Sequence, residues 1–221
     1  MYRVDLHTHP TSHKYYFGRR TGITLDAEDR RRVESFIHWA IGRGLDALGI
    51  TDHHYLAAGW YVREYAEEHG LPIQVLPGVE LEPKQLGFLR SVHLLAFNIR
   101  EDIPKLLGVR ETLDAIHEQG GVAIMAHPVF CPDEFWRVAD RLDGVEVWNV
   151  LSAAGGIGFL QKRLWKAISC TLPDLPQFRG SDCHHPRVTF PLVHTEIDGE
   201  WLVRLGGWVE AAPPARVAHS A

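Results

Sequence analysis

Residues 5–14 read DLHTHPTSHK and place three histidines, His7, His9 and His13, close together. The preceding residues, YRVDLH, have the composition of a β-strand, in which alternate side chains share a face, so His7 and His9 point to the same side. Two neighbouring imidazoles repel each other when protonated and waste hydrogen-bonding capacity when neutral. A shared divalent cation removes both problems, because it accepts a lone pair from each ring. This stretch therefore predicts a metal site at the end of the first strand.

The composition limits the classes of protein to consider. The chain has 221 residues, of which 45% are hydrophobic and 23% charged, as in an ordinary soluble globular protein. Its net charge of -5 argues against binding to a long nucleic-acid duplex, yet it allows a small phosphorylated substrate, because bound metal ions reverse the local field. Three separated cysteines without a CxxC motif predict a cytoplasmic protein without disulfides. The sequence shows neither a signal-peptide pattern nor an apolar run long enough to span a membrane, so we predict no contact with a membrane.

Short apolar runs alternate with helical patterns along the chain. Residues 26–43 have apolar side chains at helical spacing and are closed by Gly42 and Gly44, which predicts a helix. The segment DEFWRVADRL predicts another helix, capped by Asp133. The runs PIQVLPGVELE and SVHLLAFN read as two strands that can form a hairpin. The alternation favours a mostly parallel sheet covered by helices, and seven or so repeats favour a closed barrel. We predict a single α/β domain over residues 1–210, a distorted TIM-barrel-like (β/α)7 barrel, followed by a disordered tail, residues 211–221.

Polar side chains stand at the ends of the predicted strands. In order along the chain they are His7, His9, Asp52, His53, His54, Glu80, His93, His127, Asn149, Asp182, His184 and His185. The active site of an α/β barrel lies at the carboxyl ends of its strands. Imidazoles and carboxylates without thiolates suit zinc, manganese or iron, and so many ligands exceed the capacity of one tetrahedral site. The sequence therefore predicts two or three divalent ions, with one carboxylate shared between a pair.

Several of these residues also have a structural interpretation. His93 lies between apolar neighbours in VHLLAF, where a buried core histidine is at least as common as a ligand. His54 and His185 follow stronger candidates and can act as partners for the second ring nitrogen of a ligand. Cys183 lies between two candidate ligands, but strand alternation points it away from them, and His194 fits either interpretation.

The motifs DLHTH, LGITDHH, PGVELE, HLLAF, AHP, VEVWN and GSDCHH follow one another in an order that resembles the PHP family, named for its polymerase and histidinol-phosphatase members. The resemblance runs through nearly the whole chain. It implies a distorted barrel of seven βα units with a dinuclear or trinuclear metal centre that hydrolyses phosphoesters. Some members of the family bind only two metals.

The resemblance also implies a set of ligands for each metal. The first metal is expected to be held by His7, His9, Glu80 and Asp182, the second by Glu80, His93 and His127, and the third by His13, His53 and His184. Asp52 is expected to orient a ligand or to hold a proton.

The expected reaction is hydrolysis of a phosphoester by a metal-activated water. His184, His185 or the third metal compensates the charge of the leaving group, and Arg187 binds phosphate. The expected substrate is a small phosphorylated molecule such as a sugar phosphate or a nucleotide. Two alternatives stay open, namely an amidohydrolase-type metal-dependent hydrolase and a non-catalytic PHP accessory domain.

Overall fold

The computed structural model describes residues 1–11, 25–83, 92–105, 107–185 and 193–209. These residues form one α/β barrel. Its strands are, in chain order, β1 (Tyr2–Asp5), β2 (Ala47–Ile50), β3 (Gln74–Leu81), β4 (His93–Phe97), β5 (Val122–Ala126), β6 (Gly144–Asn149), β7 (Gln177–Gly180) and β8 (Thr195–Ile197). Its main helices are α1 (Ala27–Gly42), α2 (Ala57–Glu68), α3 (Val109–Glu118), α4 (Pro132–Val138), α5 (Gly158–Thr171) and α6 (Gly199–Arg204). Short helical turns at Val150–Ser152 and Ala153–Ile157 lead into α5.

The strands form a nearly closed sheet in the order β7-β6-β5-β4-β3-β2-β1-β8. Strand β4 is antiparallel to both of its neighbours and β8 is antiparallel to β1, whereas the other pairs are parallel. Between β7 and β8, Arg179 N–H donates to Thr195 Oγ1 at 2.7 Å, and this hydroxyl donates to Arg179 O at 3.3 Å. The predicted barrel is confirmed, and within the described residues it has eight strands.

The hydrophobic core has three parts, one inside the barrel and two outside it. Side chains from seven strands can meet only in the lumen, where Leu202 of α6 and Leu205, the C-cap of that helix, join them. Helices α1 and α2 pack on the outer face of β2 and β3, and α3, α4 and α5 pack on the outer face of β3 to β6. This arrangement leaves the ends of the strands to carry polar side chains.

The helix predicted over residues 26–43 is confirmed as α1. Asp26 Oδ1 accepts hydrogen bonds from the backbone of Glu28 and Asp29, and Asp29 Oδ2 accepts one from Asp26 N–H, which forms a reciprocal capping box. The prediction for α4 was wrong in one detail. Cys131 occupies the N-cap, so Asp133 stands in the first turn, where its charge still favours the helix dipole.

The tail expected over residues 211–221 lies outside the described residues. None of the described helices has both the length and the apolar character needed to cross a membrane.

The packing of the barrel predicts how the three cysteines react. Cys170 is exposed, whereas Cys131 and Cys183 are buried, and burial raises the pKa of each buried thiol to about 11. We expect a chromogenic disulfide reagent at pH 8 to modify one thiol per folded chain rapidly and three in denaturant, because a buried protonated thiol is a poor nucleophile. Cys170→Ser should remove the rapid reaction. Rapid modification of that variant would contradict the packing around β5 and β7.

Candidate metal centre

Backbone hydrogen bonds join the first motif, DLHTH, to the last motif, GSDCHH, at one rim of the barrel. His9 N–H donates to Cys183 O at 2.8 Å, and Asp182 N–H donates to His7 O at 2.8 Å. The segment after β1 is thus hydrogen-bonded to the segment after β7, although the two are far apart in sequence. This pairing brings Asp182 next to the two histidines of the HxH motif.

The reversed direction of β4 brings His93 to the same rim. His93 is the first residue of β4 and pairs with Ala126, the last residue of β5. His127 follows β5 directly, so the two imidazoles lie side by side, with ring centroids 4.9 Å apart. His93 is therefore part of the polar cluster, and the core interpretation is wrong for it.

Glu80 of β3 is the centre of the cluster. Its Oε1 lies 2.7 Å from His93 Nδ1, 3.2 Å from His127 Nε2 and 3.5 Å from His7 Nε2. Its Oε2 lies 3.1 Å from His9 Nε2 and 3.4 Å from His53 Nδ1. The side chain of Glu80 is only 2% exposed. One buried carboxylate therefore faces five imidazoles, and its two oxygens divide them into two sets.

The HxH histidines face each other and a second carboxylate. His7 Nε2 and His9 Nε2 are 3.0 Å apart, and Asp182 Oδ1 lies 3.7 Å from the first and 3.3 Å from the second. Metal–ligand bonds of about 2.0–2.2 Å place neighbouring ligand atoms about 2.8–3.6 Å apart. The spacing of these donors therefore fits a shared cation. Neutral imidazole nitrogens and carboxylate oxygens are the donors that zinc, manganese and iron accept.

Three groups of donors have their ligand atoms within 4.8 Å of one another and face the rim. They are His7, His9 and Glu80; Glu80, His93 and His127; and His9, His53 and His184. Glu80 belongs to two of these groups and His9 to two. The geometry thus fits more than one divalent ion, and Glu80 is placed to be shared.

A fourth group, His7, His127 and Glu146, meets the same distance criterion. Its carboxylate is already occupied by hydrogen bonds, since Glu146 Oε1 lies 3.0 Å from His7 Nδ1 and Oε2 accepts from His127 N–H at 2.9 Å. Asn149 Nδ2 also donates to Oε2 at 3.0 Å. Glu146 therefore orients other residues from behind, and the three rim groups are the better candidates for cations.

The acidic and basic side chains of this cluster shift one another's pKa values strongly. Burial alone raises the pKa of Glu80, but His93 and His7 bring it well below its usual range. Burial likewise raises the pKa of Asp182, which His7 and His9 then lower below its usual value. Burial lowers the pKa of His7 and His9, yet the nearby carboxylates raise the first well above its usual value and the second to about 9. The carboxylates are ionised, and a bound cation would replace the protons of the imidazoles.

The backbone is strained where the strands end. Among the described residues, the non-glycine residues with positive φ are His54 (φ 65°), Asn98 (φ 55°), His127 (φ 28°) and Asp182 (φ 54°). Three of these four lie at the rim. Such conformations are uncommon for residues with a Cβ and concentrate at functional sites.

Asp52 and His54 lie next to the cluster. Asp52 Oδ1 accepts a hydrogen bond from Thr11 N–H at 2.9 Å, and burial raises the pKa of this carboxyl while His9 opposes the rise. His54 N–H donates to Glu80 O at 3.0 Å, and burial and Lys105 lower the pKa of its imidazole to about 4. Both therefore border the donors without belonging to the three rim groups.

His184 and His185, two further predicted site residues, follow β7 in the sequence. His184 is 29% exposed, and its Nδ1 lies 2.9 Å from Asp182 O and 3.5 Å from Asp182 Oδ1. Burial, and then the neighbouring His9, lower the pKa of His184 to about 4. The carbonyl of His185 accepts from the buried Cys183 Sγ at 3.3 Å.

Two further predicted residues lie outside the described part of the chain. They are His13, expected as a ligand, and Arg187, expected to bind phosphate.

Two carboxylates next to the donors were not identified from the sequence. Glu146 lies between valines in GVEVWN, and a buried acid in an apolar strand was the signal that could have revealed it. Glu82 Oε1 lies 3.0 Å from His53 Nδ1, and its side chain is 32% exposed. Strand alternation places Glu82 on the same face as Glu80, which was the signal for it.

Comparisons with known proteins agree with this geometry at the level of the fold. The chain is 31% identical over 138 residues to "Uncharacterized protein MJ1587" of Methanocaldococcus jannaschii, which covers 61% of this chain and 72% of that protein. No family model matches the chain.

Three solved structures have the same fold. One, provisionally assigned as a metal-dependent phosphoesterase from Bifidobacterium adolescentis, has a TM-score of 0.63 and 19% identity and covers 94% of this chain and 97% of that chain. PsfC from Pseudomonas syringae has a TM-score of 0.56 and 19% identity, covering 86% and 80%. An amidohydrolase from Chromobacterium violaceum, with bound sulfate and no metal, has a TM-score of 0.56 and 14% identity, covering 88% and 92%.

The sharing of Glu80 predicts the effect of a single substitution on metal content. Glu80→Gln should weaken zinc binding at two sites by at least about 100-fold, because an amide oxygen carries no charge to bridge two cations. His184→Ala touches one group only and should lose a single ion. Zinc per chain is measured by elemental analysis after equilibrium dialysis, with circular dichroism as the check on folding. Equal zinc in Glu80→Gln and the unmodified protein would contradict the assignment.

Proposed function

The chain belongs to the same family as the archaeal protein MJ1587, and we propose that it is a metal-dependent phosphoesterase of the PHP type. The observation that carries this proposal is the position of Glu80, a buried carboxylate facing five imidazoles at the rim of a barrel. The motifs that supply these side chains follow one another in the order typical of PHP phosphoesterases. A shared carboxylate can hold two cations close enough together to act on the same water and phosphoryl group.

In this proposal the rim binds two or three divalent ions, which are zinc, manganese or iron. The first site consists of His7, His9, Glu80 and Asp182, and the second of Glu80, His93 and His127. The third consists of His53 and His184, joined by His13 from outside the described residues. The ring of His9 stacks on that of His53, with centroids 4.6 Å apart, and lies equally close to that of His184, so the first and third sites adjoin.

When bound, such ions acidify water and polarise phosphoryl oxygens. The residues around them then have distinct tasks. Glu80 and Asp182 balance the positive charge of the centre. Asp52, buried beside the cluster and bonded to Thr11 N–H, is placed to hold a proton. His184 is a ligand in this proposal, so we assign to His185 the donation of a proton to the leaving group.

The substrate in this proposal is a small phosphorylated molecule, such as a sugar phosphate or a nucleotide. The net charge of -5 speaks against a long nucleic-acid duplex as partner. Arg187, which follows β7 in the sequence, is our choice for phosphate binding. Lys105, whose Nζ lies 4.9 Å from the centre of the Tyr55 ring, adds a cation that lowers the pKa of His54. The free thiols are consistent with the cytoplasm as its compartment.

The likeness to an amidohydrolase of known structure keeps that reaction as the second candidate. Amidohydrolases share the barrel and the HxH motif, and their bridging group is usually a lysine or a glutamate. In this chain the bridging candidate, Glu80, precedes the histidine of β4, and the last motif is SDCH, an order that favours the phosphoesterase. A non-catalytic PHP module is a weaker candidate, because such modules usually lose ligands, and the donor groups described above retain theirs.

A paired substrate assay distinguishes these functions. With Mn²⁺ present, we expect hydrolysis of p-nitrophenyl phosphate but not of dihydrouracil, a cyclic amide. A chelator should abolish the activity and added Mn²⁺ should restore it. Glu80→Gln should lower kcat/KM by at least about 100-fold, because it removes charge from the centre that stabilises the transition state.

Glu118→Gln provides the matched control, since Glu118 is exposed on α3, away from the rim. This variant should keep full activity. Cleavage of dihydrouracil without cleavage of the phosphoester would assign the protein to the amidohydrolases. A zinc-loaded protein that cleaves neither substrate, nor any member of a panel of phosphorylated metabolites, would support the accessory module.

A further inference from the structure

Glu146 connects two of the candidate ligands from behind the rim. Its Oε1 lies 3.0 Å from His7 Nδ1, and its Oε2 accepts hydrogen bonds from His127 N–H at 2.9 Å and from Asn149 Nδ2 at 3.0 Å. Glu146 is 2% exposed and His7 is fully buried. The two oxygens of this carboxylate therefore have different neighbours, one an imidazole and the other two N–H donors.

The donors at Oε2 cannot reverse their role. A backbone N–H, as at His127, can only donate. The side-chain amide of Asn149 is also fixed, because its Oδ1 accepts from Ser152 N–H at 2.8 Å and its Nδ2 donates to Asp182 Oδ2 as well, at 3.2 Å. An oxygen must therefore occupy the Oε2 position of residue 146.

The space around Oε1 is equally restricted. Gly180 of β7 lies against this oxygen, and a Cβ at position 180 would collide with Glu146 Oε1 and approach His7 Cβ. Glycine at this position lets the carboxylate reach the imidazole. The side chain of Glu146 thus has one orientation, with Oε1 against His7.

We propose that Glu146 is a positioning residue that selects the tautomer of His7. The carboxylate accepts a hydrogen bond from Nδ1–H of His7, which leaves Nε2 without a proton and facing His9, Glu80 and Asp182. A histidine can ligate a cation only through a nitrogen that carries no proton. This inference rests on the metal centre of the proposed function and adds a residue that controls one of its sites.

The inference makes an isosteric substitution harmful for a specific reason. In Glu146→Gln the amide oxygen must take the Oε2 position, because His127 N–H and Asn149 Nδ2 both donate there. The amide NH₂ then takes the Oε1 position and donates to His7 Nδ1. His7 has to carry its proton on Nε2, where the cation would bind. The shape of the side chain is kept, and only the direction of one hydrogen bond is reversed.

The test compares Glu146→Gln with Glu146→Ala by zinc binding. We expect Glu146→Gln to bind the zinc ion held by His7 about 10–100-fold more weakly than the unmodified protein, as is typical when the partner of a ligating histidine is changed. Because Glu146→Ala leaves His7 free to choose its tautomer, the Gln variant should bind this ion at least as weakly as the Ala variant. Zinc is measured by equilibrium dialysis, and Glu118→Gln is the control for loss of one negative charge.

A purely structural role for Glu146 predicts the opposite order, since glutamine fills the space of glutamate and alanine leaves a cavity. Tighter zinc binding by Glu146→Gln than by Glu146→Ala would therefore overturn the inference.

A second measurement needs no variant at position 146. In the zinc-loaded protein, ¹⁵N NMR should show the His7 ring with its proton on Nδ1 and its Nε2 bound to the metal, the signals being assigned by their loss in His7→Gln. A proton on Nε2, or a His7 ring that binds no zinc, would also overturn it. Absence of phosphoester hydrolysis by a zinc-loaded protein sinks the proposed function alone, because zinc content and tautomer do not depend on turnover.

Discussion

The structure depends on one buried carboxylate, Glu80. A carboxylate without water around it is costly unless positive charge or hydrogen-bond donors compensate it, and here five imidazoles surround it within 3.5 Å. Breaking a buried pair by removing one partner destabilises a protein by about 3–5 kcal/mol. Five histidines gathered on one residue also need something to reduce their mutual repulsion when protonated. Cations in the three rim groups would meet both requirements, because they neutralise the carboxylate and displace protons from the rings.

The direction of the strands decides whether His93 can join this cluster. In a barrel of parallel strands only carboxyl ends reach the catalytic rim, so His93, at the amino end of its strand, would lie at the opposite rim. The reversal of β4 turns His93 toward Glu80 on the neighbouring strand β3, where Glu80 pairs with Leu95. Strand β8 is reversed as well, and it pairs with β1 at the end of the sheet order. A small barrel can thus collect donors from strands of both directions at one rim.

Much of this could be predicted from the sequence, because strand ends and helix periodicity are local signals. The helix over residues 26–43, the barrel and the gathering of Glu80, His93 and His127 follow from spacing and motif order. Local sequence patterns do not show which distant residue a side chain contacts in the fold. Glu146 lies in the middle of an apolar strand, and its contact with His7 spans 139 positions of the chain. Asp133 shows the same limit at short range, since a residue typical of caps is here the second residue of the helix.

The strained residues explain how strand ends become a convergent site. A regular strand sends successive side chains to opposite faces, so alternation alone would turn away every second residue of a motif such as SDCHH. Positive φ at His54, His127 and Asp182 breaks this alternation at the rim. At His127 the backbone N–H is held by Glu146 Oε2 at 2.9 Å, and the ring still reaches Glu80 at 3.2 Å. Conformations of this kind cost about 1–3 kcal/mol each and persist only where surrounding contacts fix them. The carboxylate that orients His7 is thus also one of the contacts that maintain the strained turn at His127, which makes the geometry of the two neighbouring sites interdependent.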